Sequence, residues 1–271
     1  MTLHILGFAG WGLLAGLYGS IIGLGGGAII VPVLMLIYGM DPNTTVAVSL
    51  CAVFANAVSS TIAYGRQGRV DYSSGWRFAL AVIPGSLVGA FVVKYIPVRI
   101  FSGAFGTLFF FASLFMAFSP VRPRNKAVPR GPGEPRRITD TEGHRFSYRV
   151  RMSRGIPVSF AAGALSSLMG IGGGVIHVPA MILWLGFPHH IAVATSTFII
   201  SVYSLIGAAA FASQGAVAWG VAIPIATGAV IGAQIGARIA KSLSSRWVGR
   251  LLALALCIIG IRMLISSIVG H

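Results

Sequence analysis

The feature that most constrains this chain is a glycine cluster that occurs twice, each time inside an apolar segment. Residues 23–32 read GLGGGAIIVP and residues 170–179 read GIGGGVIHVP, an offset of 147 positions. A glycine weakens a helix by about 1 kcal/mol relative to alanine, and any backbone group freed in lipid must find a partner inside the protein. Two such breaks predict a specialised site.

The rest of the chain is apolar from end to end. Hydrophobic residues make up 56% of its 271 residues and charged residues only 9%, which is typical of a polytopic membrane protein. The net charge of +15 is concentrated between Arg122 and Arg154, where ten Lys and Arg residues fall in one segment. Because cytoplasmic loops carry such an excess, the charge predicts a cytoplasmic loop and no nucleic-acid partner.

The duplication divides the chain into three parts. Residues 1–118 form an N-terminal membrane repeat, residues 119–155 a basic cytoplasmic linker, and residues 156–271 a C-terminal membrane repeat. The linker is rich in Pro, Arg and Gly, so we expect it to be largely disordered. Residues that match at the same offset include Pro32 and Pro179, Ser49 and Ser196, and Gln67 and Gln214.

Each repeat predicts one broken apolar segment followed by three helices. The broken segments are residues 3–38 and 156–185. The six helices are expected at residues 46–64, 77–94, 99–118, 192–212, 221–241 and 250–269.

Loop charges orient these helices. The loop from Arg238 to Arg250 is basic and should be inside, whereas residues 213–217 carry no charge and should be outside. Residues 156–185 then enter and leave on the cytoplasmic face. Each limb has about 14 residues, or about 21 Å, which is short of the ~30 Å hydrocarbon core, so a re-entrant pair of half-helices with the glycines at its tip fits best.

The same counting gives the N-terminal repeat the opposite orientation. The predicted fold is an all-α polytopic membrane protein with two inverted-topology repeats, each a glycine-broken re-entrant helical hairpin plus three transmembrane helices. If each broken segment crossed the membrane once instead, the repeats would be parallel. That alternative places the basic loop at residues 238–250 outside, against the positive-inside rule.

The hairpin tips are candidate anion sites, because glycine N–H groups are unhindered and the half-helix that follows presents its positive end. The candidates are Gly25, Gly26, Gly27, Gly172, Gly173 and Gly174. The alternative is that these glycines only permit tight turns and close contact between the two hairpins.

Neutral polar side chains in the next element of each repeat are further candidates, since they can hold an anion without trapping it by a full charge. They are Asn43, Thr44, Ser49, Asn56, Thr195 and Ser196. The alternative for all of them is ordinary hydrogen bonding between membrane helices.

Two ionisable residues complete the candidate set. His177 replaces Ile30 of the first repeat and could accept a proton or bind substrate, or it could be a structural histidine. Arg262 lies within a predicted helix and could attract an anion, or it could extend to the membrane surface.

Acidic residues are nearly absent from the membrane repeats, where only Asp41 and Asp71 occur, both in loops. Cation transport usually needs an intramembrane carboxylate, so an anion is the expected substrate. An anion that leaves a cell with an inside-negative potential gains ~2.3 kcal/mol per charge per 100 mV. No metal or other cofactor is expected, since His189 and His190 lack companion ligands.

The duplicated glycine motif, with Ala47-Val48-Ser49 or Ala194-Thr195-Ser196 after it, resembles the sulfite exporter TauE/SafE family of membrane permeases. The resemblance covers both repeats and excludes the linker. It implies transport of small sulfur-containing anions such as sulfite or organosulfonates, commonly as efflux. The residues that match the family pattern are Gly23, Gly25, Gly26, Gly27, Pro32, Ser49, Gly170, Gly172, Gly173, Gly174, Pro179, Thr195 and Ser196, whereas His177 matches no general family position.

The expected function is therefore export of a small sulfur-containing anion across the cell (inner) membrane, by alternating access to a site between the two hairpins. A passive small-anion channel is one alternative. A membrane-embedded sulfur-transfer enzyme using Cys51 or His177 is another, although no nucleophile, base and orienting group occur together. A third is a scaffold whose linker docks a cytoplasmic partner. The expected partners are the anion and the lipid bilayer, and a homodimer is compatible with the sequence.

Overall fold

The computed structural model describes residues 2–118, 133–240 and 245–269, and its helices confirm an all-α polytopic membrane protein. The N-terminal repeat forms α1 (Thr2–Ile22), α2 (Gly27–Leu36), α3 (Pro42–Arg66), α4 (Tyr72–Val92), a 3-10 turn (Val93–Tyr95) and α5 (Val98–Phe118). The linker forms β1 (Glu134–Thr139) and β2 (Arg145–Val150). The C-terminal repeat forms α6 (Met152–Met169), α7 (Gly174–Leu183), α8 (His189–Ser213), α9 (Trp219–Ile239) and α10 (Ser245–Val269). By length and composition, α1, α3, α4, α8 and α9 can each cross a membrane.

The duplication appears in the lengths of the helices. α2 and α7 have 10 residues each, α3 and α8 have 25, and α4 and α9 have 21. Several helices begin earlier than predicted because their caps lie upstream of the apolar run. The Asp41 carboxylate accepts the N–H of Thr44 at 3.0 Å and Pro42 occupies the first turn, so α3 begins four residues before the expected position.

Both glycine-broken segments form hairpins. In the first, the rings of Phe8 and Tyr38 have centroids 4.8 Å apart, so the chain after α2 returns to the beginning of α1. In the second, the N–H of Arg151 donates to the carbonyl of Leu185 at 3.4 Å. The entrance and exit of each hairpin are therefore adjacent.

The expectation of two equal half-helices is wrong for the first limbs. α1 has 21 residues and α6 has 18, or about 31 and 27 Å, whereas α2 and α7 are about 15 Å long. α6 is longer than expected because it begins at Met152, inside the predicted linker. Its first turn contains polar residues, which composition assigns to a loop.

The two repeats interlock through small residues. α1 packs along α9, α6 along α4, α3 against α8 and α5 against α10. At Gly12 and Gly16 of α1, any side chain would overlap the backbone of Ile225 and Ala229 in α9. Close approach of this kind is how membrane helices associate without a hydrophobic driving force between them. Each repeat thus completes the packing of the other, in a pseudo-two-fold arrangement.

The linker hairpin docks on the α3–α4 connection. The expectation of disorder is therefore wrong for residues 133–155, which fold against this connection. Residues 119–132 lie outside the described part of the chain. Arg69 contacts Asp140 at 3.1 Å and Glu142 at 3.4 Å. The Tyr148 hydroxyl donates to Asp71 at 2.8 Å. Burial alone would raise the pKa of Asp140, but hydrogen bonds from His144 and the charge of Arg69 lower it below its ordinary value.

Contacts between connections show which elements share an end of the bundle. The Gln67 side chain donates to the carbonyl of Ala237 at 3.2 Å, so the α3–α4 connection and the end of α9 lie together with the linker hairpin. At the other end, Arg99 donates to the carbonyl of Ser267 at 3.0 Å. The first hairpin opens beside the start of α3 and the second beside the linker, at opposite ends of α3.

Asp140→Asn tests the docking of the linker hairpin. The substitution leaves buried Arg69 without its closest charged partner, so we expect the free energy of unfolding to fall by about 1–3 kcal/mol. Thermal unfolding of the purified protein and the rate of tryptic cleavage in the linker measure the change.

Glu134→Gln is the matched control, because its ion pair with Arg77 joins side chains that are 47% and 51% exposed. We expect it to change stability by less than about 1 kcal/mol. Since the pKa of Asp140 is lowered in the folded protein, docking in the parent should persist above about pH 4 and weaken as the pH falls below it. Equal effects of the two variants would contradict the docking role of Asp140.

Candidate anion site at the glycine hairpin tips

The two hairpin tips, residues 23–27 and 170–174, are buried and touch each other backbone to backbone. A Cβ atom on Gly27 would overlap the carbonyl oxygen of Gly170, and one on Gly174 would overlap that of Gly23. Gly25 and Gly172 also meet, since a Cβ on Gly25 would lie 3.5 Å from the Cα of Gly172. Glycine at these positions is therefore required for contact between the hairpins.

Each tip also needs a backbone conformation that only glycine adopts readily. Gly25 and Gly26 have φ of +77° and +85°, and Gly172 and Gly173 have +86° and +66°. L-residues rarely occupy this left-handed region because Cβ then approaches the carbonyl oxygen. Turn formation and close contact together account for the triple glycine of each repeat.

Ser49 and Ser196 join the tips to the opposite repeat. The Ser49 hydroxyl donates to the carbonyl of Gly170 at 2.7 Å, and the Ser196 hydroxyl donates to the carbonyl of Gly23 at 3.1 Å. The two bonds are equivalent at the offset of 147. Both serines, predicted as anion ligands, therefore have a structural role that matches the alternative of hydrogen bonding between membrane elements.

The short helices α2 and α7 begin at the tips. Their N-caps, Gly26 and Gly173, provide no side-chain hydrogen bond. The first N–H groups of a helix have no partner within the helix, and the helix dipole places partial positive charge at the same end. Each tip thus adds the positive end of a helix, which favours an anion. At the second tip, the N–H of Gly174 already donates to the carbonyl of Gly172 at 2.7 Å.

Asn56, one of the predicted anion ligands, has a side-chain donor at the first tip that is unpaired among the described residues. Its side chain is 1% exposed, and its Oδ1 accepts from Ser60 at 3.3 Å. Its Nδ2 has no hydrogen-bond partner among the residues that the structure describes. A Cβ on Gly26 would lie 3.2 Å from this Nδ2, and a Cβ on Gly19 would lie 2.8 Å from it. A buried donor left unpaired costs about 1–3 kcal/mol, which a ligand could offset.

The other polar candidates in α3 and α8 lie away from the tips. Asn43 and Thr44 occupy the first turn of α3, about 9 Å along the axis from Ser49. The Thr195 hydroxyl accepts the N–H of Asp71 at 3.0 Å and so joins α8 to the α3–α4 connection.

The two ionisable candidates occupy different surroundings. His177 is 1% exposed, and its Nε2 lies 3.1 Å from the hydroxyl of Ser159, which is the environment of a structural histidine. Arg262 is exposed on α10, the helix that packs against α5.

Sequence reasoning missed Tyr203, which stands at the position equivalent to Asn56. Its hydroxyl is buried at the second tip, where a Cβ on Gly173 would lie 2.6 Å from it and 2.7 Å from the hydroxyl of Ser166. The offset of 147 that pairs the glycines also pairs Asn56 with Tyr203, and this signal could have identified the residue.

One cluster has the residue types of a metal site. Ligand atoms of Asp140, Glu142 and His144 lie within 4.8 Å of one another in the linker hairpin. The guanidinium of Arg69 already pairs with both carboxylates, so the cluster is an ion-pair network rather than a free set of metal ligands.

Comparison with known proteins points to one family. The family model described as sulfite exporter TauE/SafE matches residues 8–263. The chain is 37% identical over 265 residues to the "Probable membrane transporter protein YunE" of Bacillus subtilis, which covers 95% of this chain and 96% of that protein. It is 30% identical over 234 residues to a "Probable membrane transporter protein" of Xylella fastidiosa, 85% of this chain and 84% of that one.

A plant protein shows a partial similarity. The chain is 35% identical over 109 residues to "Sulfite exporter TauE/SafE family protein 1" of Arabidopsis thaliana, which covers 40% of this chain and 24% of the plant protein. No solved structure matches this chain.

Gly27→Ala and Gly174→Ala test the contact between the tips. Each methyl group would overlap backbone of the other hairpin, and backbone held by two helices yields less easily than a side chain. We expect each variant to lose at least about 2 kcal/mol of stability, measured by thermal unfolding in detergent.

Gly10→Ala is the control, because Gly10 lies in α1 with nothing within 4 Å of its Cβ position. We expect it to be neutral or to stabilise α1 by up to about 1 kcal/mol. If Gly27→Ala and Gly174→Ala were as stable as this control, the tips would not pack as described.

Proposed function

Because this chain belongs to the sulfite exporter TauE/SafE family, we propose that it carries small sulfur-containing anions, such as sulfite or organosulfonates, out of the cell. The family, and relatives that are named membrane transporters, show that the chain is a membrane transporter and not an enzyme. The name of the Arabidopsis relative supports sulfite as the reference substrate.

The observation that carries the proposal is the Nδ2 of Asn56 at the N-terminus of α2, which has no hydrogen-bond partner in the described part of the chain. A neutral amide donor beside the positive end of a helix attracts an anion without trapping it by a full charge. The membrane repeats hold only two acidic residues, Asp41 and Asp71, and both cap helices at connections. The surroundings of the tips are thus suited to an anion and unsuited to a cation.

Release of the anion requires the closed tips to open. α1 packs along α9 and α3 against α9, and the equivalent contacts join α6, α4 and α8. We place the moving boundary of alternating access at the α3–α8 contact, between a mixed bundle of α1, α3 and α9 and a mixed bundle of α4, α6 and α8, because the contacts α1–α9 and α4–α6 are more extensive. The hairpin tips lie at this boundary, since Ser49 of α3 and Ser196 of α8 bond to them.

The proposed orientation has the linker hairpin and the α3–α4 connection in the cytoplasm, with the two repeats inverted. The basic residues of the linker support this side by the positive-inside rule. In this orientation a sulfur oxyanion leaves down the membrane potential, which favours export by ~2.3 kcal/mol per charge per 100 mV without a coupled ion.

Asn56→Leu tests the substrate and the site together. In proteoliposomes we expect saturable flux of sulfite or an organosulfonate by the parent, with sulfate, thiosulfate, taurine and sulfoacetate as competitors. Because a hydrogen bond to a charged partner is lost, the KM of Asn56→Leu should rise by about tenfold or more.

Thr197→Val is the matched control, because Thr197 is 1% exposed and its hydroxyl bonds to Ala194 within its own helix. We expect its KM to equal that of the parent. Parent-like flux by Asn56→Leu would exclude this donor, and flux that rises linearly with concentration would indicate a channel.

Cysteine labelling tests the inverted topology. Starting from a Cys51→Ala, Cys257→Ala protein, Thr141→Cys places a thiol in the linker hairpin and Ser213→Cys places one at the exposed end of α8. A membrane-impermeant reagent applied to intact cells should label Ser213→Cys but reach Thr141→Cys only after permeabilisation. Parallel repeats would put both thiols inside, so protection of Ser213→Cys would contradict the inverted arrangement.

A further inference from the structure

Asn56 and Tyr203 occupy equivalent positions in the two repeats, and each faces the N-cap glycine of a re-entrant helix. Both side chains are 1% exposed. Neither the Nδ2 of Asn56 nor the hydroxyl of Tyr203 has a hydrogen-bond partner among the residues that the structure describes. Buried polar groups are normally paired, so two orphan donors at equivalent places call for one explanation.

The Tyr203 hydroxyl lies beside the hydroxyl of Ser166. The Ser166 hydroxyl donates to the carbonyl of Ala162 in its own helix. The geometry of the two hydroxyls does not allow a hydrogen bond between them. A ligand oxygen reaches the Tyr203 hydroxyl only when the tip moves away from it, since a Cβ on Gly173 would already lie 2.6 Å from this hydroxyl.

The space between the two hairpins is already filled. Gly27 meets Gly170, and Gly174 meets Gly23, in both cases through backbone atoms. Gly26 and Gly173 face the other way, toward the first limb of their own hairpin and toward Asn56 and Tyr203. Free donors therefore occur on the two outer flanks of the tip contact and not between the tips.

We propose that Tyr203 is a second anion-binding residue, so that the transporter has two oxyanion subsites, one at the N-terminus of α2 and one at the N-terminus of α7. This inference rests on the proposed transport of an oxyanion and adds a second place of contact. Each subsite combines a helix N-terminus with one buried neutral donor.

The two subsites differ in chemistry. The amide nitrogen of Asn56 only donates, and Gly19 beside it adds no polar group. The second subsite has the hydroxyls of Tyr203 and Ser166, which both donate and accept. The two subsites therefore differ in the side chains that they offer, an amide at the first and two hydroxyls at the second.

Tyr203→Phe tests the proposal, with Tyr64→Phe as the matched control. Tyr64 is also buried, but its hydroxyl donates to the carbonyl of Ser20 at 2.8 Å. Removing a paired hydroxyl should lower the melting temperature and leave affinity unchanged, whereas removing an orphan hydroxyl should not lower the melting temperature. We expect Tyr203→Phe to weaken equilibrium binding of radiolabelled sulfite to the purified protein by about tenfold.

The outcomes separate this inference from the proposed function. Loss of affinity in both Asn56→Leu and Tyr203→Phe, with a parent-like melting temperature for Tyr203→Phe, supports two subsites. Loss in Asn56→Leu with parent-like binding by Tyr203→Phe overturns the second subsite and leaves the proposed function standing. Parent-like binding by both variants overturns both subsites, whereas absence of sulfite binding by the parent overturns the proposed function. A lower melting temperature for Tyr203→Phe would show that its hydroxyl is paired, which also overturns the inference.

Discussion

The structure depends on the contact between two glycine tips in a medium that supplies no water. In lipid, backbone groups that leave a helix must be satisfied within the protein, and both tips leave a helix at the same place. Ser49 and Ser196 satisfy one carbonyl of each tip from the opposite repeat. The positions of α3 and α8 follow from this requirement, since they supply those hydroxyls and cover the tips. The donors that remain free are the ones that can bind a substrate.

Exchange of helices between the repeats makes the tip contact possible. Because α1 packs along α9 and α6 along α4, the first limb of each hairpin packs on a helix of the other repeat. The tip of each hairpin then lies against the tip of the other. Glycines such as Gly12 and Gly16 bring these helices close enough for the tips to touch. The linker hairpin adds a connection at one end of the bundle through Arg69 and Tyr148. The tips and the linker hairpin thus both lie beside the α3–α8 contact, where we propose the moving boundary of transport.

Much of this architecture was predictable from the sequence, because the repeat offset carries long-range information. The offset predicted the duplication and the equivalence of Ser49 and Ser196, and the loop charges predicted hairpins with glycines at their tips. The long first limbs were not predictable, since composition does not distinguish a polar first turn of α6 from linker. The linker hairpin was missed because Pro, Arg and Gly suggested disorder, although Phe146, Tyr148 and Val150 alternate as in a half-buried strand. Which donors remain free depends on which side chains find hydrogen-bond partners, and this follows only from the three-dimensional arrangement.

The exchanged helices also have a consequence for biosynthesis. α1 leaves the ribosome well before its partner α9, which begins at Trp219, about 200 residues later, or roughly 10–40 s at ordinary rates of translation. During that interval the glycine face of α1 has no α9 to pack against. The N-terminal repeat therefore cannot complete its folding during its own synthesis. The membrane insertion machinery or the surrounding lipid must stabilise it until α9 has been inserted.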